Sequence, residues 1–229
     1  MGPVIASAVI GLAGAILFPK YGAAIYCGSF VGMSSREILP HAPAHLSASL
    51  IAGGVFQISE NSYHGIGGKL GTIAFIGSVA TAAAFGLPFS SSPLPPPNIV
   101  WSIIILSALA ALLAWALGNQ QKIGAVIGSA LVGLAGGLIL PRLFPAYGEL
   151  LAVAVFCASF TGMASKERFS AALVSIAGLL TGIIFILSSP VFGGAGGKLG
   201  MIAFSASLAT LGYQQMINRV WRAIKVRNK

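Results

Sequence analysis

Acidic charge is the scarcest property of this sequence. It contains no aspartate and only four glutamates, Glu37, Glu60, Glu149 and Glu167, and charged residues of both signs make up 7% of its 229 positions. Soluble domains carry about a quarter charged residues. A water-exposed fold with so few would present apolar patches larger than monomeric soluble proteins tolerate. The shortage also bears on chemistry. Sodium- and proton-driven carriers often place carboxylates inside the bundle. Glu60 and Glu149 fall near the ends of apolar segments, which lowers the expectation of cation coupling and raises that of passive conduction or of anionic or neutral cargo. Serine, threonine and backbone oxygens remain able to coordinate sodium.

Cysteine and histidine are nearly as rare. Cys27 and Cys157 each sit inside an apolar run, so they form neither a disulfide framework nor a metal spacing, and a small buried cysteine is usually a packing residue. His41, His45 and His64 are scattered through the first half only, and the default for them is a solvated loop. No His-Glu-x-x-His helix, nucleophile–base pairing or polar nucleotide-binding domain is present. The expectation is therefore a non-enzyme without cofactor or metal, and without ATP hydrolysis of its own. The first segment begins at Pro3 with no basic region before it and more apolar runs after it, and it reads as a span rather than a cleaved signal.

Apolar residues and glycine are abundant: 56% hydrophobic, with 30 glycines. Small residues let membrane helices approach closely where no hydrophobic force drives them together. The net charge of +9 is uneven, with five of thirteen Lys and Arg residues between Arg219 and Lys229. No folded polar surface exists to present them to nucleic acid. A cytoplasmic tail obeying the positive-inside rule explains them, and attraction to anionic headgroups is compatible with it.

Nine apolar segments read as membrane helices, roughly 3–18, 21–35, 43–59, 68–87, 98–117, 123–141, 147–165, 169–188 and 197–217. They are continuously apolar rather than alternating, which argues against the strands of a membrane barrel. The stretch from Ser90 to Asn98, with four prolines, is a loop.

Three blocks recur in order. Gly67 to Thr81 matches Gly196 to Thr210 at eleven of fifteen positions; Cys27 to Glu37 matches Cys157 to Glu167 at seven of eleven; Val4 to Pro19 resembles Val126 to Pro141. The chain reads as a duplication. The offset rises from 122 to 130 between the first two blocks, four residues entering before Tyr147 and four before Cys157, so the second copy lengthens its second helix by about one turn. Segment 98–117 has no counterpart, and one extra crossing between two four-segment units inverts the second. With the C-terminus cytoplasmic, Lys20, Lys69, Lys122, Lys166, Arg168 and five tail residues lie inside, and Arg36, Arg142 and Lys198 outside. The expected fold is an all-α polytopic membrane bundle. It comprises a first repeat (1–89), a loop and linker helix (90–120), and an inverted second repeat with a basic tail (121–229).

Two duplicated motifs are the candidate solute-binding elements. Gly67, Gly68, Lys69 and Gly71 open the fourth segment, and Gly196, Gly197, Lys198 and Gly200 open the ninth. Glycine allows a left-handed backbone and close approach; a helix start supplies free N–H groups and positive dipole; lysine adds full charge. A carboxylate, a phosphate, a halide or a polar oxygen fits such a place. It is not a Walker A loop, because the first glycine is missing and leucine follows the lysine. The alternative is a packing turn whose lysine snorkels to the headgroups. The Cys-x-Ser-Phe-x-Gly-Met motifs contribute Ser29 and Ser159 as hydroxyls and Phe30 and Phe160 as pore constrictions. Arg36–Glu37 and Lys166–Glu167 read first as interfacial anchors.

The leading expectation is a small transporter or channel whose path lies where segments 2, 4, 7 and 9 meet. Its partners would be the lipid bilayer and a small solute or ion, and a homo-oligomer is compatible. The competing expectation is a non-transporting membrane subunit packed against a partner protein or lipid, with segment 98–117 as an outer face. A lipid-acting enzyme ranks third. The expected location is a prokaryotic inner membrane.

Overall fold

The computed structural model describes residues 2–120 and 123–227; Lys122 and Lys229, two of the cations counted as cytoplasmic, lie outside them. Among the described residues the chain is helical and has no strand. Its α-helices are α1 (Pro3–Leu17), α2 (Gly22–Val31), α3 (Ala42–Ile58), α4 (Lys69–Ala84), α5 (Val100–Gly118), α6 (Gly124–Leu143), α7 (Gly148–Thr161), α8 (Ala171–Ser188) and α9 (Lys198–Arg227). Each expected segment holds one helix, and the proline-rich stretch after α4 is irregular until a short turn over Pro97–Ile99 leads into α5.

Local chemistry sets the ends. Pro3 and Pro43 stand in the first turns of α1 and α3, where a missing N–H costs nothing. The N–H of Leu173 donates to Ser170 Oγ at the start of α8. Helix α4 closes on Gly86 at φ +63°, with Leu87 N–H donating to Ala82 O at 2.8 Å and Gly86 N–H to Ala83 O at 3.2 Å, the double hydrogen bond of a glycine C-terminal stop.

Among the described residues, three elements are long and apolar enough to cross a membrane: Pro97–Gly118, Gly124–Leu143 and Ala171–Ser188, with mean hydropathies of 2.4, 1.9 and 2.4. The others are shorter or less apolar. Helix α2 has only 10 residues and rises about 15 Å, half of a hydrocarbon core. Segment 21–35 is thus a half-length helix followed by turns. Helix α7 has 14 residues, four more than α2, as the offsets imply. Helix α9 does not stop near residue 217: it continues to Arg227, so Arg219, Arg222 and Lys225 stand exposed on a helix rather than in a loose tail.

Helix α1 lies against α6 and α4 against α9, while α5 packs on α6, α7 and α8. The interior is rich in alanine and glycine, with valine, isoleucine and a few aromatic rings among them. Gly11 makes room for the Tyr26 ring and Gly133 for the Phe156 ring; a Cβ at either place would overlap them. Dispersion between closely approached surfaces holds such a core together.

Candidate site at the paired glycine-lysine turns

The α3–α4 connection (59–68) and the α8–α9 connection (189–197) both fold inward. Ile66, Gly67 and Gly68 are buried, as are Ala195 and Gly196, and Gly197 is half-buried. Glycine is required here: Gly65, Gly68, Gly194 and Gly197 have φ between +70° and +86°, the left-handed region that side chains disfavour. Tyr63 at φ +56° and Phe192 at φ +51° adopt it without being glycine, at a cost of order 1 kcal/mol or more each. An aromatic edge contact holds each of them: Tyr63 meets Phe204 at 5.3 Å, and Phe192 meets Phe75 at 5.4 Å.

Each turn docks on the end of a helix from the other half. Ser165 N–H donates to Gly65 O at 3.1 Å, and Ser35 N–H donates to Gly194 O at 2.9 Å. Gly67 presses on the carbonyls of Phe160 and Thr161 at the end of α7. Gly196 donates its N–H to Ser34 Oγ at 3.1 Å, just beyond α2. The following helices then meet start to start. Gly68 lies on Phe204, Gly71 on Gly200, and Gly197 on Phe75, so α4 and α9 run antiparallel with only their first turns overlapped. The cysteines tie the same elements together, Cys27 Sγ donating to Leu70 O and Cys157 Sγ to Leu199 O, both at 3.2 Å.

Beside this crossing stand four buried rings. Phe30 and Phe160 are 4.8 Å apart between centroids; Tyr26 is 4.4 Å from Phe30, and Phe156 is 4.6 Å from Phe160. A cavity of about 210 Å³ adjoins them, lined by Phe30, Phe160, Gly194, Gly197 and Lys198 among others. A second, of about 200 Å³, lies where Lys198 meets Phe75 and Phe192. Lys198, Gly197 and the two phenylalanines therefore come together, whereas Gly67, Gly68 and Lys69 line neither cavity.

The serines turn elsewhere. Ser29 hydrogen-bonds Ser7 at 2.7 Å and donates to Tyr26 O, facing a cleft on α1 and α2. Ser159 is fully buried against Ser129 at 2.9 Å, and Ser129 also meets the Tyr26 hydroxyl at 3.3 Å. The lysine ammonium groups reach back to the ends of the preceding helices. Lys69 Nζ donates to the carbonyls of Ser59 (2.5 Å), Glu60 (3.1 Å) and Ser62 (2.8 Å), and Lys198 Nζ donates to Ser189 O at 3.2 Å. This is the helix C-terminal role that lysine commonly fills. In this conformation the charges strap the turns.

Sequence reasoning singled out the glycines and lysines but passed over Tyr26, Phe156, Tyr63, Phe192, Phe75 and Phe204. The signal was available: these six occupy three equivalent pairs of places in the two copies. No protein-family model, curated protein or solved structure matches the chain.

Proposed function

We propose that the chain is a membrane transporter or channel for a small anionic or neutral solute, built from two inverted four-helix repeats joined by α5. The observation that carries this reading is the antiparallel meeting of α4 and α9 at Gly71 and Gly200, with each glycine-lysine turn inserted into the opposite half. Contacts recur in pairs about that point: the cysteine bonds, the aromatic edge contacts, the lysine straps and the left-handed glycines. Helix starts that begin inside a bundle, in equivalent places of two halves, are how inverted-repeat transporters build a site near the midplane. The cavity beside Lys198 and the ring pair Phe30–Phe160 would be one vestibule of a path closed by the four rings. The membrane is a prokaryotic inner membrane, with the C-terminus cytoplasmic.

The test is flux of a halide, a carboxylate and a phosphate in proteoliposomes containing the wild type, Lys69→Ala or Lys198→Ala. Lysine removal should depress flux of the transported anion at least tenfold. Unchanged flux in both variants, with helicity intact, removes the lysines from the mechanism.

One observation favours a second reading. The four rings and the glycine backbones fill the centre, as suits a non-transporting subunit whose work is to pack against a partner. Absence of flux for every solute, together with a stoichiometric partner on purification, would favour it.

A further inference from the structure

We infer that the outer face of α1, α2 and α3 is the seat of a single membrane-spanning helix from a partner protein, the counterpart of the seat that α5 fills on the other half. The inference rests on the repeat reading above but not on transport.

Helix α5 lies on α6, α7 and α8 through small residues. A Cβ at Gly162 would meet Ala111 O and Ala114; one at Gly178 would meet Ala108; one at Gly182 would meet Ile104. The equivalents of these three glycines, at the offsets of 130 and 129, are Gly32, Ser49 and Gly53, and all three are exposed. Among the described residues, nothing lies within 4 Å of a Cβ built at Gly53, or at Gly28, the counterpart of Ala158. Burial differs just where α5 sits. Val132 is 5% exposed and its equivalent Ile10 is 47%; Ala158 is fully buried and Gly28 is exposed. Elsewhere on the same helices the pattern agrees, Ala48 with Ala177 and Cys27 with Cys157 all being buried. Between α1 and α2 this face carries a cleft of about 350 Å³ lined by Ser7, Ile10, Gly28, Ser29, Gly32 and Met33, and Ser49 and Gly53 stand outside it on α3.

The chain's own occupant defines the chemistry of the missing one: an apolar helix with small residues in the spacing of Ser107, Ala111 and Ala114, running antiparallel to α3 as α5 runs antiparallel to α8. Small-xxx-small faces are how helices associate in lipid. Ser49 and Gly53 repeat the spacing of Gly178 and Gly182.

A synthetic peptide of residues 97–118, added to the full chain in bilayers, probes the seat. Chain variants Gly53→Cys and Ser49→Cys should form disulfides with peptides carrying Ile104→Cys and Ala108→Cys respectively, and the crossed combinations at least tenfold less. Gly28→Leu, which fills open space and so leaves folding intact, should suppress both. Cross-linking no greater than with a polyleucine peptide overturns the proposal. So does chain-to-chain coupling of the Gly53→Cys variant, which would make a second copy the occupant. Reporter tags in the 59–68 and 189–197 loops separate the failures. Loops on the same side of the membrane overturn the repeat reading and this proposal with it; loops on opposite sides without docking overturn this proposal alone.

Discussion

Replacing Gly71 or Gly200 with alanine should destabilise the bundle, although alanine is the better helix former. A Cβ at Gly71 would stand 2.5 Å from Gly200 Cα, about 1 Å inside van der Waals contact. The obstructing atoms are backbone, so no rotamer change relieves them; α4 and α9 must separate. Overpacking of this kind costs about 1–3 kcal/mol, against at most about 1 kcal/mol returned by helix propensity. A net loss of about 1–2 kcal/mol is expected, a factor of about 5–30 in the folding equilibrium. The two substitutions act on one contact, so the double variant should cost less than their sum. Gly212→Ala is the internal reference: it lies on α9, where a Cβ meets nothing within 4 Å, and alanine should stabilise there by up to about 1 kcal/mol. Reversible unfolding in mixed detergent and SDS micelles, followed by circular dichroism, measures all four variants. A shift of the same sign at Gly71 and Gly212 would refute the start-to-start crossing.

Phe30→Ala and Phe160→Ala remove fully buried rings and should each cost about 3–5 kcal/mol in the same unfolding assay; if these rings close a path, solute leak in proteoliposomes rises as well. Lys69→Met should raise hydrogen exchange or proteolysis in residues 59–68 more than Lys198→Met does in 189–197, because Lys69 bonds three carbonyls and Lys198 one. Equal effects would show that the straps do not hold the turns. Ser34→Ala should destabilise by about 1 kcal/mol or more, since it strips the acceptor from the buried Gly196 N–H. Ala164→Ser, which offers Gly67 the hydroxyl that Ser34 offers Gly196, should be neutral or stabilising in the same measurement.

Helix positions were legible because long apolar runs bounded by Pro, Gly and charge leave little choice of element. Helix depth was not. Segments 21–35 and 68–87 are predominantly apolar along their length, yet the first yields a 10-residue helix and the second a helix of 16 that begins within the bundle. What decides this is where a glycine turn enters the opposite half, and that is a tertiary fact. The candidate glycines were found through duplication, and their left-handed backbones are what Gly-Gly before a helix start suggests. The lysine partners were invisible because they are backbone carbonyls seven to ten residues upstream, which carry no side-chain signature. The serines and the neighbouring phenylalanines, adjacent in each motif, face different places. On a helix successive residues point about 100° apart, so Phe30 faces the cavity while Ser29 faces Ser7.

Internal identity is distributed in the way this geometry demands. The two glycine-lysine blocks agree at eleven of fifteen positions, and they are the segments that touch their own counterparts, Gly71 on Gly200 and Gly68 on Phe204. A residue that faces its own equivalent fits only what both copies can accommodate together, so a change in one copy is felt by the other. Helices α3 and α8 are under no such mutual constraint, because α5 covers α8 and nothing among the described residues covers the equivalent face of α3. There Ser49 stands where the second copy has Gly178, and Ala52 where it has Thr181. Self-contact holds the centre alike in the two halves, and unlike neighbours let their outer faces diverge. Under the proposed inversion, the two repeats would meet head to head at the place of their greatest likeness.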